Sequence, residues 1–350
     1  MGLDTYVRAA PKAELHLHLE GAVQPETVVE LARRNGVALV HDTADGLREW
    51  FRFRDFAHFI EVYGAVSRCL RAPADYELVA YRLAEELARQ NCRYAEVGFS
   101  PAFHARMGVP HADYLDGLSR ARRRARDGLG VELAWVFDIS RAMRGGETET
   151  LRWADYTVGV AIESRAEGVV ALGLGGPEAG HPPEPFAPYF ARARAAGLHA
   201  YPHAGEHAGP ASVRGALDVL GAERIAHGVR AIEDPVLVGA LAARGIALDV
   251  CPTSNLRLGV YADLAEHPLP RLLAAGVSVT VNSDDPPLFG TTLNDELALL
   301  VDPFGLEIAT IDAILLNSVR HSFLPLPARQ RLEARHRAEL DALKPVHLAL

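Results

Sequence analysis

Apolar residues along this chain gather into short strand-like runs, separated by longer segments with a helical rhythm. The runs are Glu14–Leu19, Arg93–Phe99, Leu133–Ile139, Val169–Leu174, Leu198–His203, Arg224–His227, Ile246–Cys251 and Ser278–Asn282. Several are apolar almost throughout, as parallel strands covered on both faces should be. The segments between them carry helix punctuation. Pro25 to Arg34 opens on a proline and stops at Asn35-Gly36, and Asp75 to Arg89 starts at an Asp cap. Pro210 to Leu220 ends at Gly221, and Asp234-Pro235 opens a helix that stops at Gly245. Strand–helix units repeated eight times predict the α/β class and a closed (β/α)8 TIM-type barrel. Additional helices are expected after the first strand and at the C-terminus. A doubly wound open sheet is the alternative, disfavoured by the lack of a phosphate-loop fingerprint. Between the first two strands, Phe53, Phe56, Phe59 and Tyr63, close to Trp50 and Phe51, fit one helix face, serving as core or as a hydrophobic lid.

Composition narrows the setting. The 350 residues are 49% hydrophobic and 23% charged, which supplies a large core and excludes global disorder. No linker or low-complexity block divides the chain, so a single domain over residues 1–350 is expected. The net charge of −9 repels polyanions and acidic membrane surfaces. The densest basic run, Arg120 to Arg126, reads as the solvated face of a helix. Cys69, Cys92 and Cys251 are too few and too scattered for a disulfide framework. Neither a signal-like start nor an apolar stretch long enough to span a bilayer is present, so a soluble cytoplasmic protein is expected. The expected partner is a small molecule, not a nucleic acid or a membrane. Nothing in the pattern specifies an oligomeric state.

In such a barrel, chemistry sits at the C-terminal ends of strands. Those ends carry His16 and His18, Glu96, Asp138, Gly175-Gly176, His203 with Glu206, His227, Cys251 and Asp284-Asp285. His16 and His18 are two residues apart on a strand, so both imidazoles face the same side. Alone, each could be an ordinary core histidine; two further His-bearing corners favour a metal. Gly205 permits a sharp turn that brings Glu206 to the pocket from a loop. Of Asp284 and Asp285, adjacent residues facing different ways, one can bind a metal while the other points elsewhere. Three histidines with one or two Asp oxygens suit Zn²⁺ with a position left open for water. Bound zinc lowers the pKa of water to about 7, and a neighbouring His and Glu can shuttle protons. This is metal-assisted hydrolysis with no substrate yet named. Cys251 reads as a packed thiol, Glu96 and Asp138 as partners of polar groups in the barrel mouth. Ser254 has no base adjacent in sequence for a serine-hydrolase reading.

Four motifs in order, Pro11-Lys-Ala-Glu-Leu-His-Leu-His-Leu-Glu-Gly21, His203-Ala-Gly-Glu206, Arg224-Ile-Ala-His-Gly228 and Asn282-Ser-Asp-Asp-Pro286, closely resemble the adenosine deaminase family. The likeness runs from about residue 8 to about residue 325 and implies a metal-dependent hydrolase on a distorted (β/α)8 barrel. It implies one Zn²⁺ per chain, held by His16, His18, His203 and Asp284. Glu206 would give a proton to purine N1. His227 would orient and deprotonate the attacking water, and Asp284 would hydrogen-bond it. Asp285 would meet N7 and the Gly176 N–H would meet N3, with His18 and Glu20 also on the substrate side. The implied reaction is hydrolytic deamination of a 6-aminopurine nucleoside, with adenosine to inosine placed first. Adenine and modified nucleosides such as 6-amino-6-deoxyfutalosine are the alternatives. Two departures put the sugar side in doubt: Glu20 stands where many adenosine deaminases have Asp, and Gly173-Leu-Gly-Gly-Pro-Glu178 replaces Asp-Leu-Ala-Gly-Asp-Glu. Gly180-His-Pro-Pro183 resembles the adenine deaminase branch, although the Asp-Ser usual there is absent. An ester, lactone or phosphotriester hydrolase usually needs two metals and a bridging lysine, and Val169–Gly176 holds no Lys. A non-catalytic purine-binding protein is not motivated, since every implied ligand is present. The C-x-x-C zinc signature of polynucleotide deaminases is missing.

Overall fold

Eight buried parallel strands lie side by side in chain order, each built from one of the apolar runs. In the computed structural model, which describes residues 2–348, they are β1 (Lys12–His18), β2 (Cys92–Phe99), β3 (Glu132–Ser140) and β4 (Val169–Gly175), followed by β5 (His199–Ala204), β6 (Arg224–His227), β7 (Ala247–Val250) and β8 (Val279–Val281). Every neighbouring pair from β1 to β8 is parallel. The ring closes at Asp284, just beyond β8. Its N–H donates to the His16 carbonyl at 3.1 Å, and its carbonyl accepts from the His18 N–H at 3.0 Å. One candidate metal ligand therefore carries the closure between the last strand and the first. The expected barrel is the fold observed.

The inserted helices after β1 are Pro25–Asn35, Ala44–Trp50, Phe56–Ser67 and Pro73–Arg89. The last begins two residues earlier than its expected Asp cap. Asp75 lies inside the first turn, where its Oδ2 accepts the Arg71 and Ala72 N–H groups at 3.0 Å and Asn35 Nδ2 at 2.8 Å. The aromatic face is also divided: Phe56, Phe59 and Tyr63 lie on one helix, while Phe53 precedes it and packs back against Phe59 at 5.3 Å. Pro210 to Leu220 forms a short α-helix to Gly215 and then one wider π turn. Two C-terminal helices, Ile308–Arg320 and Leu326–His347, complete the chain. From this region Val319 and Phe323 reach the apolar residues inside the barrel. Among the described residues, no helix is long and apolar enough to cross a membrane.

Above that plug lies a charged layer built on Arg224. Its Nε donates to Asp249 at 2.7 Å, its Nη2 to Glu96 and its Nη1 to the His321 carbonyl at 2.6 Å. Glu96 also accepts from Tyr94 at 2.8 Å and from the Phe323 N–H. The expectation that Glu96 faces the mouth is therefore corrected: β2 runs on to Phe99, which leaves Glu96 deep in the barrel. Asp138, near the end of the longer β3, does reach the mouth.

Candidate active site

The strand ends bring four imidazoles together. His16, His18, His203 and His227 rings stand 4.8 to 5.4 Å apart across their closest pairs. Asp284 Oδ1 lies 3.3 Å from His16 Nε2 and 3.4 Å from His18 Nε2. Ligand atoms of His16, His18 and His203 all fall within 4.8 Å of one another, as do those of His16, His227 and Asp284. His16 Nε2 and His203 Nδ1 are buried without a hydrogen-bond partner among the described residues. A cavity of about 10 Å³, to whose lining His16, His18, His203, Asp138, Tyr201 and Glu96 contribute, has room for an atom-sized occupant. Orphaned nitrogens around so small a space, beside a carboxylate, fit a metal ion of the zinc type.

Electrostatics points the same way. Burial pushes the His16 imidazole down to about 4 and His203 well below its ordinary value, leaving neutral rings of the kind metals bind. Burial also disfavours charge on His18, yet Asp284, Asp285 and Asp138 outweigh it and raise that imidazole to about 10. Burial and the nearby Asp284 push Asp285 well above the carboxylate range, whereas His16 and His18 overcome burial and hold Asp284 well below it. The carboxyl groups thus demand positive charge at this spot, and a cation there would do what the His18 proton does. Backbone conformation is unusual here too. His227 and Asp284 have φ of +61° and +64°, two of three described non-glycine residues in the left-handed region.

A chain of hydrogen bonds sets the proton on His227. The Leu269 N–H donates to His267 Nδ1 at 3.3 Å, so His267 carries its proton on Nε2 and donates to Asn255 Oδ1 at 3.1 Å. Asn255 Nδ2 then donates to His227 Nδ1 at 3.4 Å. His227 therefore holds its own proton on Nε2, 3.7 Å from Glu206 Oε1 and 3.8 Å from Asp284 Oδ2. It is a donor toward the pocket. Burial opposes ionisation of Glu206, but His227 and His207 hold it below the usual range as a carboxylate.

Glu206 rides on a loop whose clamp was not recognised from sequence. The Glu178 carboxylate accepts four successive backbone N–H groups, those of Gly205, Glu206, His207 and Ala208, at 2.6, 3.0, 2.8 and 2.8 Å. Gly205 makes the expected turn at φ +69°, where a Cβ would also strike Val213 at 2.4 Å. Arg141 donates to the His203 carbonyl and to that of His181.

Asp285 is buried beside Gly21, where a Cβ would sit 1.5 Å from its Oδ1, and that oxygen has no partner among the described residues. Gly176 adopts φ +91° just past β4. Glu20 is placed differently from the other expected residues. It is fully buried, with Oε1 accepting the Ser100 N–H and His104 Nε2 at 3.0 and 3.2 Å, and Oε2 accepting the Tyr63 hydroxyl at 3.1 Å. Its reach toward a ligand runs through Tyr63, whose ring lies 6.5 Å from His18. The same aromatic helix puts Phe56 5.1 Å from His207, so it crosses the mouth from one side of the cluster to the other. Cys251 is buried and its thiol is pushed well above its ordinary value by burial, in keeping with an inert packed side chain.

Residues 11–337 match the family model described as adenosine deaminase. The chain is 43% identical over 349 residues to the aminodeoxyfutalosine deaminase of Streptomyces avermitilis, covering 99% of this chain and 95% of that protein. It is 40% identical over 328 residues to the adenine deaminase of Cupriavidus taiwanensis, covering 93% and 91%. Among solved structures, the adenine deaminase of Arthrobacter aurescens superposes with a TM-score of 0.88 at 34% identity, over 95% of this chain and 100% of that one. A zinc-bound amidohydrolase from Burkholderia ambifaria gives 0.90 at 28% identity, over 98% and 94%.

Proposed function

The chain belongs to the adenosine deaminase family and is a hydrolase of that family, and from that premise we propose that it removes the 6-amino group of aminodeoxyfutalosine. The carrying observation is the 43% identity to an aminodeoxyfutalosine deaminase over nearly the full length of both chains. Adenine is the second reading, supported by the 40% identical relative and by the 34% identical structure. Both take precedence over adenosine, which the motifs alone placed first. In this reading the chain is one barrel domain acting on a small purine in the cytoplasm, where its three free, buried thiols would stay reduced.

One zinc per chain would be held by His16, His18, His203 and Asp284, the cluster whose unpartnered nitrogens support it. When bound, zinc supplies Lewis acidity that brings the pKa of water to about 7. His227, donating from Nε2, would orient the attacking water, and the ionised Glu206, whose Oε1 lies 3.7 Å from that nitrogen, would take up a proton from it. The deprotonating role that the motif implied for His227 passes to Glu206, because His227 Nδ1 is already an acceptor. Glu206 then delivers the proton to N1, which draws electrons from C6 as the water oxygen adds there. The second proton of the water moves to the amine, ammonia leaves and C6 becomes a carbonyl. Asp285 offers a protonated carboxyl to N7, an acceptor, and the Gly176 N–H faces N3. The aromatic helix covers the mouth and excludes bulk water, with Glu20 anchoring it through Tyr63.

Ammonia release by zinc-loaded protein with aminodeoxyfutalosine, adenine, adenosine, deoxyadenosine and AMP tests this directly. The expected result is a kcat/KM for aminodeoxyfutalosine at least tenfold above the others. The highest value with adenine would install the second reading, and no release from any of them would defeat the deaminase reading.

A further inference from the structure

Tyr201 sits between the Arg224 layer and the imidazole cluster, and it touches both. Its hydroxyl lies 2.6 Å from His16 Nδ1. Arg224 lies 4.3 Å over its ring. Which way the protons run along this contact decides what His16 can do. An imidazole that carries its proton on Nδ1 has a lone pair on Nε2, and the reverse arrangement has none there.

Below Tyr201 the hydrogen bonds run one way and end on Asp249 as an acceptor. The Leu15 backbone N–H donates to Asn282 Oδ1 at 2.8 Å, so the amide nitrogen of Asn282 donates to Thr280 Oγ1 at 2.8 Å. Thr280 Oγ1 must then donate to Asp249 Oδ1, 2.7 Å away, while Arg224 Nε donates to Asp249 Oδ2 at 2.7 Å. Asp249, paired with a guanidinium, only accepts. A metal on His16 Nε2 needs that nitrogen's lone pair, so the ring proton sits on Nδ1 and the Tyr201 oxygen, 2.6 Å away, accepts it. That leaves His16 Nε2 as a bare lone pair 3.3 Å from Asp284 Oδ1, in keeping with its lack of any donor or acceptor partner among the described residues.

We propose that Tyr201 is the positioning residue that locks His16 in its Nδ1–H tautomer and aims the Nε2 lone pair at the metal. This rests on the metal reading of the site. Partners one step removed from a metal are worth about 10- to 100-fold in metal affinity where they have been removed.

The test is Tyr201→Phe, which deletes one oxygen and keeps the ring against Arg224 and Phe323. Zinc affinity is read by competition with a chromophoric chelator, and thermal unfolding is followed with excess chelator present. The expected result is zinc binding weaker by about 10- to 100-fold, with the zinc-stripped unfolding temperature little changed. Zinc affinity within twofold of the parent overturns the assignment of Tyr201 while leaving the metal site standing. A parent protein that binds no zinc overturns both. Should the variant fail to fold, nitrogen-15 histidine spectra of the zinc-stripped parent decide: a proton on His16 Nδ1 supports the assignment, and a proton on Nε2 overturns it.

Discussion

The barrel holds two charged layers a few residues apart, and they are built on opposite principles. In the lower one every charge is answered. Arg224 meets Glu96, Asp249 and two backbone carbonyls, Glu96 takes further donors from Tyr94 and Phe323, and Asp249 takes Thr280. In the upper one, His16 Nε2, His203 Nδ1, Asp138 Oδ2 and Asp285 Oδ1 are buried without partners among the described residues, and two residues hold left-handed backbone. Buried polar atoms are normally satisfied, so unanswered ones gathered in one place mark work that a ligand completes. The lower layer serves the fold, and the upper layer is where the proposed chemistry takes place.

Replacement of Glu206 by Gln gives the largest expected effect, because it removes the proposed proton carrier from the upper layer. Turnover should fall by about 10²- to 10⁴-fold with zinc content unchanged, measured as ammonia release beside elemental analysis. Near-normal turnover would move the proton transfer elsewhere. Arg224→Met attacks the lower layer and should cost stability instead. It strands two buried carboxylates, and urea unfolding should show a loss of about 3 to 5 kcal/mol. A loss below about 1 kcal/mol would mean that the two layers do not differ in this way.

Glu178→Gln sharpens the comparison, since Glu178 is the fully answered carboxylate of the mouth. An amide cannot accept at both ends, so the four N–H groups of the Glu206 loop lose much of their anchor. Hydrogen bonds to a charge are worth about 1.5 to 3 kcal/mol each, and kcat should drop at least tenfold while zinc stays bound. Unchanged kcat would show that the loop holds itself. The smallest effect is expected from Tyr63→Phe, which frees the aromatic helix from Glu20. Loss of this one bond, about 1 to 2 kcal/mol, should raise KM severalfold with little change in zinc affinity.

How much of this was legible in the sequence depended on the range of the interactions. All eight strands were, because burial on both faces writes itself as continuous apolar runs such as Leu133–Ile139. The histidine and aspartate positions were too, since strand parity and strand ends are local properties. The same parity places Tyr201 two residues before His203 on β5, facing the same way, so that partner was within reach of the pattern. Glu96 was misplaced although the expected run and β2 both end at Phe99: three residues before that end, its side chain meets Arg224 and Tyr94 in the layer below the mouth. Glu178 and the Asn255–His267 pair had no local signature. Their partners are backbone N–H groups and ring nitrogens brought up from other loops, and only the folded chain brings these together.

Zinc titration of chelator-stripped protein addresses the upper layer most directly. Calorimetry should give one zinc per chain, lost or strongly weakened in Asp284→Ala and retained in Arg224→Met wherever that variant is still folded. Folded parent protein that takes up no zinc, or an Asp284→Ala protein that binds it equally well, would contradict the view that these unanswered groups exist to hold a metal.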